Sequence, residues 1–141
     1  MPGPARPSVL FVCVKNAGKS QMAAGLMRQA AGDAIDVYSA GTKPGTDVNS
    51  LSAEALGEIG VDIRGEKPKS IDPEIVKTVD LVVVLGREAR PEIGPETEIE
   101  TWDTDEPSHR GIDGIERMRL VRDDIGDRVA DLLTRLTPNQ T

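Results

Sequence analysis

The chain of 141 residues predicts an α/β fold, a parallel sheet of four strands covered by helices on both faces. Three observations carry that expectation. Apolar runs alternate with helical patterns along the chain, an order that builds strand-helix-strand units rather than hairpins. The run Leu81-Val-Val-Val-Leu85 is apolar at every position, as a strand buried on both faces must be. Turn residues bound each run, with neither an internal repeat nor a linker, so one domain is expected.

Taken in order, strand 8–12 holds Val9-Leu10-Phe11-Val12, and a short loop leads from it into a helical pattern over 19–31. A second strand is expected at 34–39, followed by helical patterns over 50–59 and 73–78. Runs at 80–84 and 98–101 complete the sheet. The last helix, 112–136, carries Ile112, Ile115, Met118, Val121, Ile125, Val129, Leu132, Leu133 and Leu136. Steps of three and four place these on one stripe, the face of a helix that covers a core. The segment Arg64-Gly-Glu-Lys-Pro-Lys69 is interrupted by Gly and Pro and reads as a solvated loop without a role. The domain is expected over 8–136, with residues 1–7 and 137–141 as flexible tails.

Composition removes several functions. A formal charge of −7 is unsuited to nucleic acid, whose phosphates require clustered Lys and Arg. No apolar run approaches the ~20 residues of a membrane span, and the start lacks the apolar core of a signal peptide. A cytoplasmic protein with no membrane partner is therefore expected. The one histidine, His109, has no neighbours that would complete a zinc site, so no metal is expected. The one cysteine, Cys13, excludes an internal disulfide and with it any internal thiol relay.

Cys13 stands where the first apolar run meets the loop Val14-Lys15-Asn16-Ala17-Gly18 and the helix opening Lys19-Ser20-Gln21. A strand, a glycine-containing loop and a helix start leave backbone N–H groups unpaired, and such groups bind anions and favour a thiolate. Most unpaired cysteines are small core hydrophobes. This one differs because it ends the first strand, where open α/β sheets place ligands, with charge and hydroxyl beside it. Gly18-Lys19-Ser20 also matches the end of a Walker A loop, but the glycine needed five positions earlier is Cys13. An acidic strand end to hold magnesium is missing as well, since Gly86 follows Leu85.

The segment from Cys13 to Ala23 resembles the phosphate loop of low-molecular-weight protein tyrosine phosphatases and of the thiol-dependent arsenate reductases that share their fold. Tyr38-Ser-Ala-Gly-Thr42 is similar to that family's second-strand signature, and Trp102-Asp-Thr-Asp-Glu-Pro107 to its acid loop. These pieces occur in the family's order and cover about residues 8–136. The resemblance implies a three-layer sandwich of the low-molecular-weight phosphatase fold. It makes Cys13 the nucleophile and assigns the oxyanion to the backbone of Val14, Lys15, Asn16, Ala17, Gly18 and Lys19. Ser20 would donate to the sulfur, or cap the helix, and Asn16 would hold the loop in shape. The family's acid precedes the proline, a position filled by Glu106 with Asp105 one residue earlier, and both stay open as proton donors. Asp103, Asp105 and Glu106 also read simply as an acidic turn.

Several departures sort the activities that the resemblance allows. Lys19 stands where the family has arginine, exchanging a planar fork for a point charge; actinobacterial arsenate reductases are similar in this. Gln21 follows the loop serine, where tyrosine phosphatases have proline, and Ser108 and His109 replace the tyrosines that pack on an aryl substrate. Only Phe11, Tyr38 and Trp102 are aromatic, so an aryl phosphate would find few rings. Ala24 fills the position of the acidic residue through which some of these reductases hold potassium. The resemblance thus implies a thiol-coupled arsenate reductase of the arsenate–mycothiol transferase type, with no bound cofactor, mycothiol as co-substrate and a mycoredoxin as partner. A tyrosine phosphatase is the enzymatic alternative. A catalytically weak member that binds arsenate or phosphate without turnover is the other.

Overall fold

The computed structural model describes residues 6–137; most of the two expected tails lies outside the described residues. The strands are β1 (Ser8–Cys13), β2 (Asp36–Gly41), β3 (Leu81–Leu85) and β4 (Ile99–Trp102), all parallel, in the spatial order β2-β1-β3-β4. The helices are α1 (Lys19–Ala31), α2 (Ser50–Gly57), α3 (Pro73–Thr78) and α4 (Gly114–Leu136). Period-two alternation divides the central strands between two cores. Val9, Phe11 and Cys13 of β1 and Leu81, Val83 and Leu85 of β3 face α1, α2 and α4; Leu10, Val12, Val82 and Val84 face α3 and its flanking loops. The fold is therefore the expected α/β sandwich of three layers. One outer layer is much thicker than the other.

The long helix α4 buries Met118, Val121, Ile125, Val129 and Leu132, the middle of its expected stripe. Local chemistry sets the other starts. Asn49 caps α2 by accepting the Ser52 N–H at 2.9 Å, and Asp72 caps α3 by accepting the Glu74 N–H at 2.9 Å ahead of Pro73. No described helix is long and apolar enough to cross a membrane.

Boundaries differ from expectation in one direction. Each strand ends one or two residues later than expected, so the sheet reaches further toward Cys13 and Gly41, which pair across β1 and β2. The strand expected at 34–39 starts at Asp36, because Gly32, at φ +57, turns the chain into a 3-10 turn over Gly32–Ala34. The helix expected over 50–59 stops at Gly57, short of the left-handed Gly60. The last helix starts at Gly114 rather than 112, after a 3-10 turn, Pro107–Arg110, that stops at the left-handed Gly111. Pro7, assigned to the tail, already accepts the Asp36 N–H at 2.9 Å.

Candidate active site

Cys13 is the last residue of a central strand and is buried. Beyond it the chain turns its carbonyls outward. Those of Cys13, Val14, Lys15 and Ala17 accept the N–H groups of Thr42 (3.1 Å), Lys43 (2.7 Å), Gly45 (2.9 Å) and Asn49 (2.7 Å). The N–H groups of Lys15, Ala17, Gly18 and Lys19 donate to nothing among the described residues. The loop thus offers donors on its other side, which is what an oxyanion needs. This close apposition of loop and β2 requires glycine at 41, since a Cβ there would lie 2.6 Å from the Val14 carbonyl oxygen and 2.9 Å from the Asn16 nitrogen.

Asn16 holds the loop from inside. It is fully buried in the left-handed region at φ +52, which asparagine tolerates better than most residues. Its Nδ2 donates to Ser20 Oγ at 2.7 Å, while its Oδ1 accepts from the Lys69 N–H at 3.1 Å and from Gln21 Nε2 at 3.2 Å. Because the Ser20 oxygen accepts from Asn16, its own proton is free for Cys13 Sγ, 2.9 Å away. The Asn16 N–H also reaches that sulfur at 3.2 Å. The Ser20 hydroxyl and the Asn16 N–H therefore both lie within hydrogen-bond reach of Sγ. The helix-cap role considered for Ser20 does not occur: Gly18 occupies the N-cap of α1, with no side-chain cap.

Around the loop lies a row of charges. Lys19 Nζ meets Glu106 Oε1 at 2.6 Å, and Arg117 Nη2, from the first turn of α4, meets Glu106 Oε2 at 3.1 Å. Burial pushes the Glu106 carboxyl up, but the hydrogen bonds from Lys19 and Arg117 outweigh it and hold the group below its ordinary value. Asp105 is gripped at both oxygens by Arg110, at 2.7 and 3.2 Å, which lowers its carboxyl too. Asp103 is lowered by its bond to Arg87. Of the three carboxylates, only Glu106 touches a loop side chain. The Lys19–Glu106 pair lines a cavity of about 460 Å³ rimmed by residues 86–88, 103–106, 109 and 110, and Lys19 also lines one of about 200 Å³ between the loop, α2 and α4.

The structure thus brings Cys13, Asn16, Lys19, Ser20 and Glu106 together and turns Asp105 toward Arg110. Sequence reasoning missed two supports. The segment 64–69, read as a loop without a role, sends the Lys69 N–H to Asn16 and its carbonyl to the Gly41 N–H at 2.8 Å. Arg117 went unseen because α4 also carries Arg119, Arg122, Arg128 and Arg135, and only adjacency to Met118 on the buried stripe sets it apart. Two of the three aromatic rings are spent in the core, where Phe11 and Trp102 pack at 5.7 Å between centroids.

The chain is similar to known arsenate reductases. An arsenate reductase of Halalkalibacterium halodurans is 37% identical over 128 residues, covering 86% of this chain and 91% of the relative. The thioredoxin-dependent arsenate reductase Cg_ArsC1' of Corynebacterium glutamicum superposes with a TM-score of 0.80 at 29% identity, over 99% of this chain and 66% of that longer one. A structure described as an arsenate reductase in the phosphate binding state gives a TM-score of 0.78 at 27% identity, over 92% of this chain and 98% of that one. Residues 8–141 match the family described as low molecular weight phosphotyrosine protein phosphatase, and the chain belongs to that family.

Proposed function

We propose that the chain is an arsenate reductase coupled to an external thiol. The observation that carries this reading is the chain's only cysteine set at a loop of free N–H groups: it can take up an oxyanion and has no second thiol to resolve the product. In the first step the Cys13 thiolate attacks arsenic. An S–As bond forms, an As–O bond breaks, and the oxygen leaves as water with a proton from Glu106, arsenic remaining pentavalent. An external thiol then displaces Cys13 from arsenic and returns its proton to Glu106. A second thiol attacks the sulfur of the released conjugate, so that a disulfide forms, the S–As bond breaks, and its electron pair stays on arsenic as arsenite.

Lys19 and the missing relay support mycothiol as the first thiol and a mycoredoxin as the second, while Gln21 supports a reductase over a tyrosine phosphatase. Such chemistry requires thiols kept reduced, as they are in the cytoplasm. A phosphatase reading draws on the same donor loop, and the burial of Phe11 and Trp102 counts against an aryl substrate. Arsenite yield over several turnovers tests the proposal. It should rise with mycothiol plus mycoredoxin and stay within one turnover when thioredoxin and its reductase are the only reductants. Sustained turnover with thioredoxin alone would overturn the external-thiol mechanism, and no arsenite under any reductant would leave a phosphatase or an oxyanion-binding protein.

A further inference from the structure

Glu106 holds two cations with two different oxygens. Oε1 has one partner, Lys19 Nζ at 2.6 Å; Oε2 has two, Arg117 Nη2 at 3.1 Å and Ser108 Oγ at 3.3 Å. Lys19 opens the helix that follows the anion loop, and under the proposed function an incoming oxyanion would compete with Glu106 for its ammonium. Arg117 is anchored on a different element, α4, and its one polar contact among the described residues is Glu106, with Nε buried and unpartnered. A guanidinium half-buried with one carboxylate oxygen as its partner and Nε unpaired carries a desolvation cost.

We propose that Arg117 is a positioning residue: it keeps Glu106 at the loop by Oε2 when Lys19 turns to the oxyanion, leaving Oε1 as the oxygen that carries the proton to the departing group. This rests on the reading of Glu106 as the acid of the proposed reductase. Before the oxyanion arrives, Lys19 and Arg117 hold the carboxylate ionised. Once a dianion has drawn Lys19 away, one cation fewer and two negative charges more favour the protonated form, so the acid is loaded by the substrate it serves. Apart from Lys19 and Arg117, none of the charged groups lining the two cavities beside Lys19, Lys15 in the smaller one included, pairs with Glu106. Arg87 is paired with Asp103 and Arg110 with Asp105, and Glu88 and His109 make no ion pair or hydrogen bond with Glu106.

Two measurements test the proposal. The first is carbon NMR of the Glu106 carboxyl, assigned by its loss in Glu106→Gln, with and without saturating inorganic phosphate. Phosphate should move the titration to higher pH, and Arg117→Gln should move it up in both states, whereas Arg117→Lys should keep it near wild type. No response to phosphate or to Arg117→Gln would overturn the proposal. That experiment needs no turnover, so its failure is distinct from a failure to reduce arsenate. The second is a double-mutant cycle on arsenate turnover. Arg117→Gln should lower kcat roughly tenfold with KM for arsenate changed less than about twofold, and should cost nothing further in a Glu106→Gln background. A full loss in that background would mean that Arg117 acts on the substrate or the fold rather than through Glu106.

Discussion

The loop from Cys13 to Ser20 and the acid turn from Trp102 to Arg110 face each other across the site, and they are held by opposite kinds of force. The loop is fixed by hydrogen bonds among uncharged groups, with Asn16 and Ser20 fully buried and four carbonyls tied to the segment from Thr42 to Asn49. The acid turn has backbone ties as well, among them the Asp105 N–H to Asp124 at 2.8 Å, but its carboxylates are held by ion pairs that water reaches: Arg87 with Asp103, Arg110 with Asp105, and Lys19 with Glu106. Neutral buried bonds respond little to salt or pH, whereas exposed pairs are weakened by added salt and lose their charge attraction when the carboxylate is protonated. The loop that carries Cys13 is thus built rigid. Glu106, the acid of the proposed reaction, is held by contacts that can be exchanged for a substrate.

The largest effects should come from the rigid side. Cys13→Ser should remove turnover by at least ~1,000-fold with the fold intact, because a serine hydroxyl stays protonated in this loop. Assay of arsenite beside a melting curve decides it, and activity within tenfold of wild type would mean that another group attacks arsenic. Asn16→Ala removes both sides of the amide at once. The Lys69 N–H, the Gln21 amide and the Ser20 hydroxyl lose a partner, and alanine adopts φ +52 less readily than asparagine. A destabilisation of roughly 2–4 kcal/mol follows from such losses. Asp105→Asn, which breaks the exposed Arg110 pair, should leave urea stability nearly unchanged. Equal losses in the two variants would erase the distinction between the sides.

A smaller effect is expected where the sides meet. Lys19→Arg restores the planar fork, which can hold two equatorial oxygens and still face Glu106. Hydrolysis of a small aryl phosphate should rise about three- to tenfold, with arsenate-dependent turnover changed less, because strict transition-state geometry gains most from bidentate binding. Initial rates on p-nitrophenyl phosphate check this. An unchanged rate would point to the buried Phe11 and Trp102, and the lack of a ring over the substrate, as the limiting feature.

The same contrast explains what the sequence disclosed. The rigid side was legible because its chemistry is local: Cys13, Asn16, Gly18, Lys19 and Ser20 fall within eight consecutive positions between a strand and a helix. Local patterns also gave the four strands and the stripe of α4. What escaped lies at long range. Lys69 reaches Asn16 across 53 residues, and Arg117 reaches Glu106 from the far side of a glycine-terminated turn. Which of Asp105 and Glu106 faces the loop depends on the 3-10 turn after Pro107, a turn that composition alone does not announce. Charged side chains are interchangeable in sequence until the fold decides which of them meet.

The smallest predicted effect lies far from the site and measures how much an exposed pair matters in this fold. Glu58, just past α2, accepts from Arg119 at 2.6 and 3.0 Å and from Arg122 at 2.9 Å, both on α4. The Arg119 bond foremost, and Arg122 with it, outweigh burial and bring its carboxyl from 4.5 to about 2. A carboxyl lowered on folding stabilises the native state above its unfolded value, and that stabilisation is lost as pH falls from about 4.5 toward 2. Glu58→Gln should therefore be slightly less stable than wild type at pH 7, with the difference shrinking across that window and with added salt. Urea midpoints at pH 7, 4 and 2.5 check it. A gap that stayed constant with pH would assign the effect to side-chain packing between α2 and α4, and the ion pairs of the acid turn would then have to be weighed in the same way.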